Sequence, residues 1–370
     1  MQRITPTFIE IDLEALRYNF RSLKRRLPPR VKSLCVVKSN AYGHGAIRIS
    51  RVLQEEGADF FGTGTIDEGI QLREAGIKRP LLILMNYLDQ QFESLLRYQL
   101  TPILDNLETA EALNSYLSHA GKKLPFHLKV DTGMTRLGIL PEEIGTFCDR
   151  LRSLTCLEPV GLLSHLADAG EKKYTAKQER VFESARREFQ ERFPESQLYH
   201  LANSQATIDR KTSGASMARF GIVLYGAYPL ERDKKLIDLK PVLQWKTKVV
   251  TLKKVPPKTS VSYGRTFTTK KESLIGVVPV GYADGYPRLL SNQARVLVRG
   301  KSVPVVGTIC MDMMMIDLTS IPGVKNGEEV VLIGRSGKEV IRAEELAHQA
   351  KTISYEIFCR IAERIPRVYR

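Results

Sequence analysis

The stretch "LCVVKSNAYGHG", from Leu34 to Gly45, places a single lysine at the end of a short apolar run. The run Leu34–Val37 has the length and composition of a buried strand, and Lys38 follows it directly. Small residues and glycines come next, which is typical of a loop that another group can approach closely. The stretch therefore predicts a strand that delivers an amine to a loop at its carboxyl end.

Outward from this stretch, strand-like and helical runs alternate as far as Gly226. Helical stretches such as "TIDEGIQLREAG" and "NLETAEALNSYLSHAG" separate apolar runs of strand length. The predicted strands are Leu34–Val37, Asp59–Thr63, Leu81–Leu84, Thr101–Leu104, Phe126–Val130, Val160–Ser164, Leu198–Ala202 and Phe220–Leu224. Eight strands with intervening helices in this length of chain predict an N-terminal (β/α)8 barrel of the TIM type.

The pattern changes after Gly226. A charged connection, "PLERDKKLIDLKP" (Pro229–Pro241), leads into short β runs with glycine and proline turns, among them "LIGVVPVGY", "ARVLVRG" and "EEVVLIG". This part of the chain predicts a mostly-β domain. We therefore expect an α/β protein in which residues 1–230 form the barrel and residues 231–370 form a C-terminal β domain.

Polar residues follow several of the predicted barrel strands. In a barrel of this kind the chemistry takes place at the carboxyl ends of the strands, where residues distant in sequence meet. The residues expected there are Lys38, Lys129, Asp131, Arg136, His165, Asn203, Ser204 and, just before the predicted eighth strand, Arg219. Convergence from separate strands makes a stronger site hypothesis than any one of these residues alone.

Composition excludes several other classes of protein. The chain has 370 residues, of which 43% are hydrophobic and 26% are charged, as in ordinary globular proteins. No apolar run approaches the length of a membrane span, and the N-terminus has no hydrophobic signal core, so we expect a cytoplasmic protein without a membrane partner. Five scattered cysteines favour reduced thiols, and the six histidines have no ligand spacing, so we expect no metal.

The formal net charge of +15 raises the question of a nucleic-acid partner. The positive residues are spread over several segments, and no basic helix is interleaved with stacking aromatic residues. We therefore interpret the charge as a solvated basic surface and expect no nucleic-acid binding.

Eight motifs identify a family that the sequence resembles. They are "VVKSNAYGHG", "KVDTGMTRLG", "LSHLADA", "LANSQAT", "ARFGIVLYG", "SVSYGRTF", "VPVGYADGYPR" and "GTICMDMMMID", spread over nearly the whole chain. They strongly resemble alanine racemase, the pyridoxal 5′-phosphate enzyme that interconverts L- and D-alanine and supplies D-alanine for peptidoglycan. The resemblance implies a barrel that holds the cofactor, a C-terminal β domain and a head-to-tail homodimer whose active sites are shared between subunits.

The resemblance also implies roles for individual residues. Racemisation moves protons on both faces of a planar centre and so needs two bases. Lys38 matches the family's Schiff-base lysine, which serves as one base, and Tyr263 matches the catalytic tyrosine, the other. A free tyrosine has a pKa near ~10, so its phenolate needs a nearby cation or imidazole. His165 matches the histidine bonded to this tyrosine, and Arg219 matches the arginine that faces the pyridine nitrogen.

The remaining matches concern the cofactor and the substrate. Arg136 resembles the arginine that steadies the ring oxygen and the substrate carboxylate, and Met311 matches a main-chain contact to that carboxylate from the partner subunit. Lys129 matches a lysine that is carbamylated in some members, although a plain ion pair is an equal alternative. Tyr282 resembles an entrance-gate tyrosine. The residues expected to bind the cofactor are Lys38, Tyr42, His165, Asn203, Ser204, Arg219, Gly221, Ile222 and Tyr355.

Some positions depart from the family, and some functions remain open. Leu166 follows His165 where the family usually has phenylalanine, and Leu163 replaces a frequent tyrosine. The alternatives are a racemase for serine or for a broad set of amino acids, a barrel-type decarboxylase, and a non-catalytic pyridoxal-phosphate-binding protein. The last kind is a single barrel without the β domain and the "SVSYG" tyrosine. Tyr355 and the "CMDMMMID" segment favour a small pocket and alanine as the substrate.

Overall fold

A computed structural model describes residues 5–209 and 214–370. The strands are β1 (Phe8–Ile11), β2 (Lys32–Val36), β3 (Phe60–Thr63), β4 (Leu81–Ile83), β5 (Leu100–Thr101), β6 (Ile103–Leu104), β7 (Leu124–Lys129), β8 (Leu157–Leu163), β9 (Leu198–His200), β10 (Met217–Phe220), β11 (Leu243–Lys248), β12 (Thr251–Val255), β13 (Ser260–Val261), β14 (Phe267–Thr268), β15 (Ser273–Val278), β16 (Arg295–Val298), β17 (Lys301–Pro304), β18 (Met314–Asp317), β19 (Glu329–Ser336), β20 (Glu339–Ile341) and β21 (Arg367–Tyr369). The helices are α1 (Leu13–Lys24), α2 (Lys38–Tyr42), α3 (Ala46–Glu55), α4 (Ile66–Glu74), α5 (Phe92–Arg97), α6 (Leu107–His119), α7 (Ile144–Leu151), α8 (Lys172–Arg192), α9 (Ser204–Ile208), α10 (Ala343–Gln349) and α11 (Ser354–Cys359).

Strands β2 to β10 form the barrel that the sequence predicted. One parallel sheet has the order β10-β2-β3-β4-β5, and the other has the order β6-β7-β8-β9. Strands β5 and β6 are two halves of one strand, separated by Pro102, which has no N–H to continue the ladder. The barrel closes between β9 and β10, where the Arg219 N–H donates to the Ala202 carbonyl at 3.1 Å. The predicted eight-stranded barrel is therefore confirmed.

The prediction of the eighth strand at Phe220–Leu224 was wrong. The strand is Met217–Phe220, and residues Ile222–Tyr225 form a short 3-10 turn instead. The apolar run misled because these residues are buried in the turn, and a short buried run has no period that separates strand from helix. Arg219 consequently lies inside the last barrel strand rather than before it.

Helix starts in the barrel are marked by side-chain caps. Asp12 accepts a hydrogen bond from Ala15 N at 2.8 Å and opens α1, as its short polar side chain favours. Thr65 and Glu68 form a capping box at the start of α4. The Glu68 carboxylate also accepts a hydrogen bond from Ser39 N at 2.5 Å, so α4 is tied to the segment that follows the strand β2.

The C-terminal part is mostly β, as predicted. Its largest sheet has the order β17-β16-β19-β11-β1-β21, with β20 paired to β19. A second sheet has the order β12-β15-β18, and β13 pairs with β14. The first strand of the chain, β1, lies between β11 and β21 and so belongs to this sheet although it precedes the barrel. The division of the chain at residue 230 stays a prediction.

Candidate active site

A cleft of about 590 Å³ opens at the carboxyl ends of the barrel strands. It is lined by ten of the residues singled out in the sequence: Lys38, Tyr42, Lys129, Arg136, His165, Asn203, Ser204, Arg219, Gly221 and Tyr355. Ile222 is fully buried directly after Gly221, and its side chain does not line the cleft. The fold therefore brings most of the predicted site together in one place.

The segment after Lys38 is an unusual left-handed helical turn. Ser39, Asn40, Ala41 and Tyr42 all have φ near +52°, although none of them is glycine. A left-handed conformation costs about 1–2 kcal/mol for each such residue, so the turn stores roughly 4–8 kcal/mol of strain. We call residues 38–45 the lysine turn. Strain of this size persists only where surrounding contacts impose it, and such places are commonly functional sites.

Several hydrogen bonds hold the lysine turn. Besides the bond from Ser39 N to Glu68, the Asn40 side-chain oxygen accepts from Ala46 N at 2.8 Å. The imidazole of His44 is fully buried, and its Nδ1 lies 2.8 Å from the carbonyl oxygen of Tyr42. Because a carbonyl only accepts, Nδ1 carries the proton and donates it. These contacts keep Lys38 and Tyr42 at the cleft in spite of the strain.

Two lysines in the cleft have lowered pKa values. Burial, followed by the charge of Arg136, lowers the pKa of the half-buried Lys38. Burial, with Arg219 and Arg136 as further causes, lowers the pKa of Lys129 to about 7. The neutral amine is the nucleophilic form of lysine, so either residue has the electrostatics that covalent attachment of an aldehyde requires.

A set of hydroxyl and amide groups forms a small cradle at another part of the cleft. The Gly221 N–H donates to Ser204 Oγ at 2.9 Å, and Asn203 caps α9, in which Ser204 is the first residue. A Cβ at position 221 would lie 3.0 Å from Tyr42 Oη and 3.5 Å from Ser204 Oγ, so the glycine leaves room between the two hydroxyls. Tyr355 lies next to Tyr42, with ring centroids 5.8 Å apart. This cradle fits a phosphate group, which accepts hydrogen bonds from such donors.

Arg219 is buried, and its hydrogen-bond acceptors among residues 5–209 and 214–370 are all neutral. Its Nη2 lies 3.1 Å from His165 Nδ1, and its Nη1 lies 2.9 Å from His200 Nδ1. Its other bonds are to the carbonyl oxygens of Ser164, His200 and Leu201. Burial lowers the pKa of Arg219 to about 10, so it remains a cation at neutral pH. It makes no ion pair with any carboxylate in the described parts of the chain.

The donors of Arg219 determine the tautomers of three histidines. An arginine cannot accept, so the Nδ1 atoms of His165 and His200 are acceptors and their protons lie on Nε2. His200 Nε2 then donates to His127 Nδ1 at 2.9 Å. Burial lowers the pKa of His165 to about 2 and that of His127 to about 3, and it lowers the pKa of His200 far below its usual value. All three imidazoles are therefore neutral.

Sequence reasoning missed His127 and His200. Both lie inside predicted barrel strands, in "FHLKV" and "LYHLA", and both are fully buried. A titratable residue in an otherwise apolar strand was the only sequence signal available, and it does not reveal which buried charge the histidine contacts.

Three predicted residues lie outside the cleft. Tyr263, Tyr282 and Met311 line a different concave surface, of about 970 Å³, on the β domain. Tyr263 is 73% exposed and Met311 is 54% exposed. Tyr263 begins a short turn whose position is held by Thr308, because Thr308 Oγ1 donates to the Tyr263 carbonyl at 2.8 Å. Within one chain, the tyrosine is therefore presented to the outside and not to its own Lys38.

No helix in the two described segments is long and apolar enough to cross a bilayer.

A lysine with a lowered pKa, a phosphate cradle and a buried arginine at the mouth of a barrel define the class of barrel enzymes that carry pyridoxal phosphate on a lysine.

The chain belongs to the alanine racemase family. The family's N-terminal domain matches residues 11–229, and its C-terminal domain matches residues 242–369. An alanine racemase of Halothermothrix orenii is 45% identical over 372 residues, which cover 100% of this chain and 98% of that protein. An alanine racemase of Geobacter sulfurreducens is 42% identical, over 98% of this chain and 97% of that protein. The cofactor of this family is pyridoxal 5′-phosphate, and the enzyme is an isomerase.

Solved structures agree with this assignment. The alanine racemase of Clostridium difficile has a TM-score of 0.93 at 36% identity, covering 100% of this chain and 97% of that chain. The alanine racemase of Bacillus anthracis with bound L-Ala-P has a TM-score of 0.92 at 33% identity, covering 100% and 96%. These similarities confirm the predicted fold class, a barrel followed by a mostly-β domain.

Proposed function

We propose that the protein interconverts L- and D-alanine by a two-base mechanism in which Lys38 works on one face of the substrate and Tyr263 of a second copy works on the other. The observation that carries this proposal is the convergence of Lys38, the phosphate cradle and Arg219 on one cleft. When bound, pyridoxal phosphate supplies an electron sink for the charge left on the α-carbon after its proton is removed.

Lys38 attaches the cofactor and later moves a proton. Its lowered pKa favours the neutral amine, which can form the covalent bond. When it is not bonded to the cofactor, the same Nζ could accept or return the α-proton of the substrate. Arg136 lines the same cleft, and among the charged residues it lowers the pKa of Lys38 most. Its cation is suited to bind the substrate carboxylate.

The cradle would hold the phosphate end of the cofactor. Tyr42 and Ser204 offer hydroxyl donors, and Asn203 orients Ser204 through its cap on α9. Tyr355 and the backbone of Gly221 and Ile222 complete the proposed set. Hydroxyl and amide groups suit this role because a phosphate accepts hydrogen bonds from such donors.

Arg219 would hold the ring nitrogen of the cofactor by donating a hydrogen bond to it. Its hydrogen bonds to the residues that the structure describes use Nη1 and Nη2, which leaves the Nε–H for this role. A donor that stays charged keeps the ring nitrogen unprotonated, whereas a carboxylate there would keep it protonated. The weaker electron sink that results is expected to limit side reactions such as transamination.

Tyr263 comes from a second subunit in the proposed homodimer. The tyrosine and its neighbours Met311 and Met313 are exposed apolar residues, and so are Leu230 and Ile353 at the rim of the cleft. Two exposed apolar surfaces on one chain are both covered if two copies exchange them head to tail. Met311 would then bring its main chain to the substrate carboxylate, and Tyr282 would lie at the entrance.

His165 links Arg219 to the incoming tyrosine. Because its Nδ1 accepts from Arg219, its Nε2 carries a proton that it can donate to the phenolate oxygen of Tyr263. Such a bond favours the phenolate, the form that can act as a base. A cytoplasmic location and the use of the D-alanine in peptidoglycan stay predictions.

The direct test is chiral analysis of alanine after incubation of the purified protein with L-alanine and pyridoxal phosphate. We expect D-alanine to approach half of the total, and Lys38→Ala to form none. L-serine, tested in parallel, should turn over more slowly than alanine. An absence of D-alanine with fully loaded protein would refute the proposed activity, and faster turnover of serine would refute the proposed substrate.

A further inference from the structure

The last strand of the chain lies directly against the lysine turn. In β21, Arg367 Nε donates to the carbonyl oxygen of Gly43 at 3.1 Å, and Tyr369 Oη donates to the carbonyl oxygen of His44 at 3.3 Å. We call Arg367 and Tyr369 the C-terminal clamp. These two residues join the lysine turn of the barrel to the β domain of the same chain.

The remaining donors of Arg367 hold a second segment. Its Nη1 donates to the carbonyl oxygens of Ala362 and Ile365 at 2.7 and 2.6 Å, and its Nη2 donates to that of Ile361 at 3.0 Å. This segment follows α11, the helix that carries Tyr355. A single half-buried guanidinium therefore connects the two chain segments on which Tyr42 and Tyr355 are carried to the phosphate cradle.

The lysine turn packs closely against both α11 and the clamp. A Cβ on Gly43 would lie 2.4 Å from the Phe358 carbonyl oxygen, and a Cβ on Gly45 would lie 1.8 Å from Tyr369 Oη. Both glycines have positive φ, so each accommodates the turn and the close approach together. A change in the backbone of the turn would therefore be opposed at once by the C-terminal segment.

The clamp itself is fixed to a large sheet. Strand β21 pairs in parallel with β1, in a register that places Tyr369 opposite Ile11. The bond from Arg370 N to the Ile11 carbonyl, at 2.8 Å, continues this pairing to the end of the chain. The clamp is consequently hydrogen-bonded into the sheet of the β domain on one side, and the lysine turn lies on its other side.

We propose that Arg367 and Tyr369 are positioning residues that hold the lysine turn in its left-handed conformation, and thereby place Lys38 and Tyr42 for the cofactor. The inference rests on the roles proposed above for Lys38 and Tyr42. Without the clamp, the carbonyl oxygens of Gly43 and His44 would lose these hydrogen-bond donors. The strained turn could then relax towards a backbone conformation of lower energy. Lys38 and Tyr42 would then no longer be held in their mutual arrangement.

The test compares Arg367→Met with Arg370→Met in the full-length protein. Methionine keeps an unbranched apolar stem and removes all the donors of Arg367. Arg370 is the matched control, because it lies in the same terminal segment but its exposed side chain bonds Glu10 of β1 and not the lysine turn. Two quantities are measured: the dissociation constant for pyridoxal phosphate, by titration, and the amide hydrogen exchange of residues 39–45.

We expect Arg367→Met to bind the cofactor about tenfold more weakly, because a tenfold change in affinity corresponds to the net free energy of about one hydrogen bond. Exchange at Gly43, His44 and Gly45 should become faster, while exchange in the strand β7 stays unchanged. Arg370→Met should match the wild type in both measurements. Unchanged affinity and unchanged exchange in a folded Arg367→Met protein would overturn the proposal.

If Arg367→Met does not fold, Tyr369→Phe decides the matter, because it removes only the hydroxyl that donates to His44. Faster exchange at residues 43–45 in this variant supports the clamp, and wild-type exchange there refutes it. The exchange measurement on cofactor-free protein does not depend on the chemistry of Lys38. A wild-type protein that does not attach the cofactor to Lys38 would therefore refute the proposed function separately from the clamp.

Discussion

Arg219 and His200 are joined by a 2.9 Å hydrogen bond between Nη1 and Nδ1, in which a buried cation meets a neutral imidazole rather than a carboxylate. His200 in turn donates a hydrogen bond from its Nε2 to Nδ1 of His127. The arrangement orients the guanidinium without neutralising its charge. A carboxylate in the place of His200 would orient the arginine equally well but would cancel the charge that the proposed mechanism uses.

Replacement of Arg219 tests this electrostatic role. In Arg219→Glu the ring nitrogen of the cofactor should keep its proton, because a carboxylate replaces a permanent donor. We expect racemisation to fall about a hundredfold or more, on the scale of losing a positioned donor in an active site, and transamination to rise relative to racemisation. Pyruvate formation and D-alanine formation are measured together, with Arg219→Lys as the control that keeps the charge. Normal racemisation by Arg219→Glu, with no new absorbing species, would contradict the role.

Borohydride reduction of the holoenzyme should attach the cofactor to Lys38. The competing site is Lys129, whose pKa is also lowered, to about 7, so electrostatics alone does not choose between the two amines. Lys38 is expected to react because it begins the lysine turn beside the phosphate cradle. Peptide mapping by mass spectrometry identifies the modified residue. A label on Lys129 would mean that the two lysines have been assigned the wrong roles.

Two inactive variants should restore activity when they are combined. Lys38→Ala and Tyr263→Phe each lack one proposed base in both sites of a dimer. After the two proteins are unfolded and refolded together, a mixed dimer has one site without either base and one site with both. With equal mixing, about half of the dimers are mixed, so roughly a quarter of the wild-type activity should return. Mixed dimers that form but stay inactive would show that both bases come from one chain.

Stability should depend on pH through Lys129. Its folded-state pKa of about 7 is below the ordinary value of 10.5, so between these values the unfolded chain binds more protons than the folded one. The free energy of unfolding contributed by this residue therefore rises with pH across that window and is lost as the pH falls towards 7. Urea unfolding of cofactor-free protein in bicarbonate-free buffer should give a steeper rise with pH for the wild type than for Lys129→Met. Equal slopes would mean that the pKa of Lys129 is not lowered.

The sequence was sufficient to predict the barrel and most of the residues around its mouth. The alternation of apolar and helical runs has a period that local backbone geometry imposes, so strands such as Leu81–Ile83 could be found from the chain alone. The prediction of a strand at Phe220–Leu224 failed, because a buried apolar run without periodicity does not distinguish a strand from a 3-10 turn. The sequence also contained no indication of the left-handed turn at Ser39–Tyr42, because none of those residue types requires a positive φ.

By itself the sequence determined the fold class, the family and which residue types meet at the ends of the barrel strands, since periodicity and long motifs are local properties of a chain. Only the tertiary structure decided how these residues are held. It brought His200 and His127 behind Arg219, placed β1 in the sheet of the other domain, and set the C-terminal clamp against the lysine turn. The clamp bond between Tyr369 and His44 joins residues 325 positions apart, and the residues paired between β1 and β21 lie still further apart in the chain. Because such pairs follow from how whole elements pack, no local pattern in the chain encodes them.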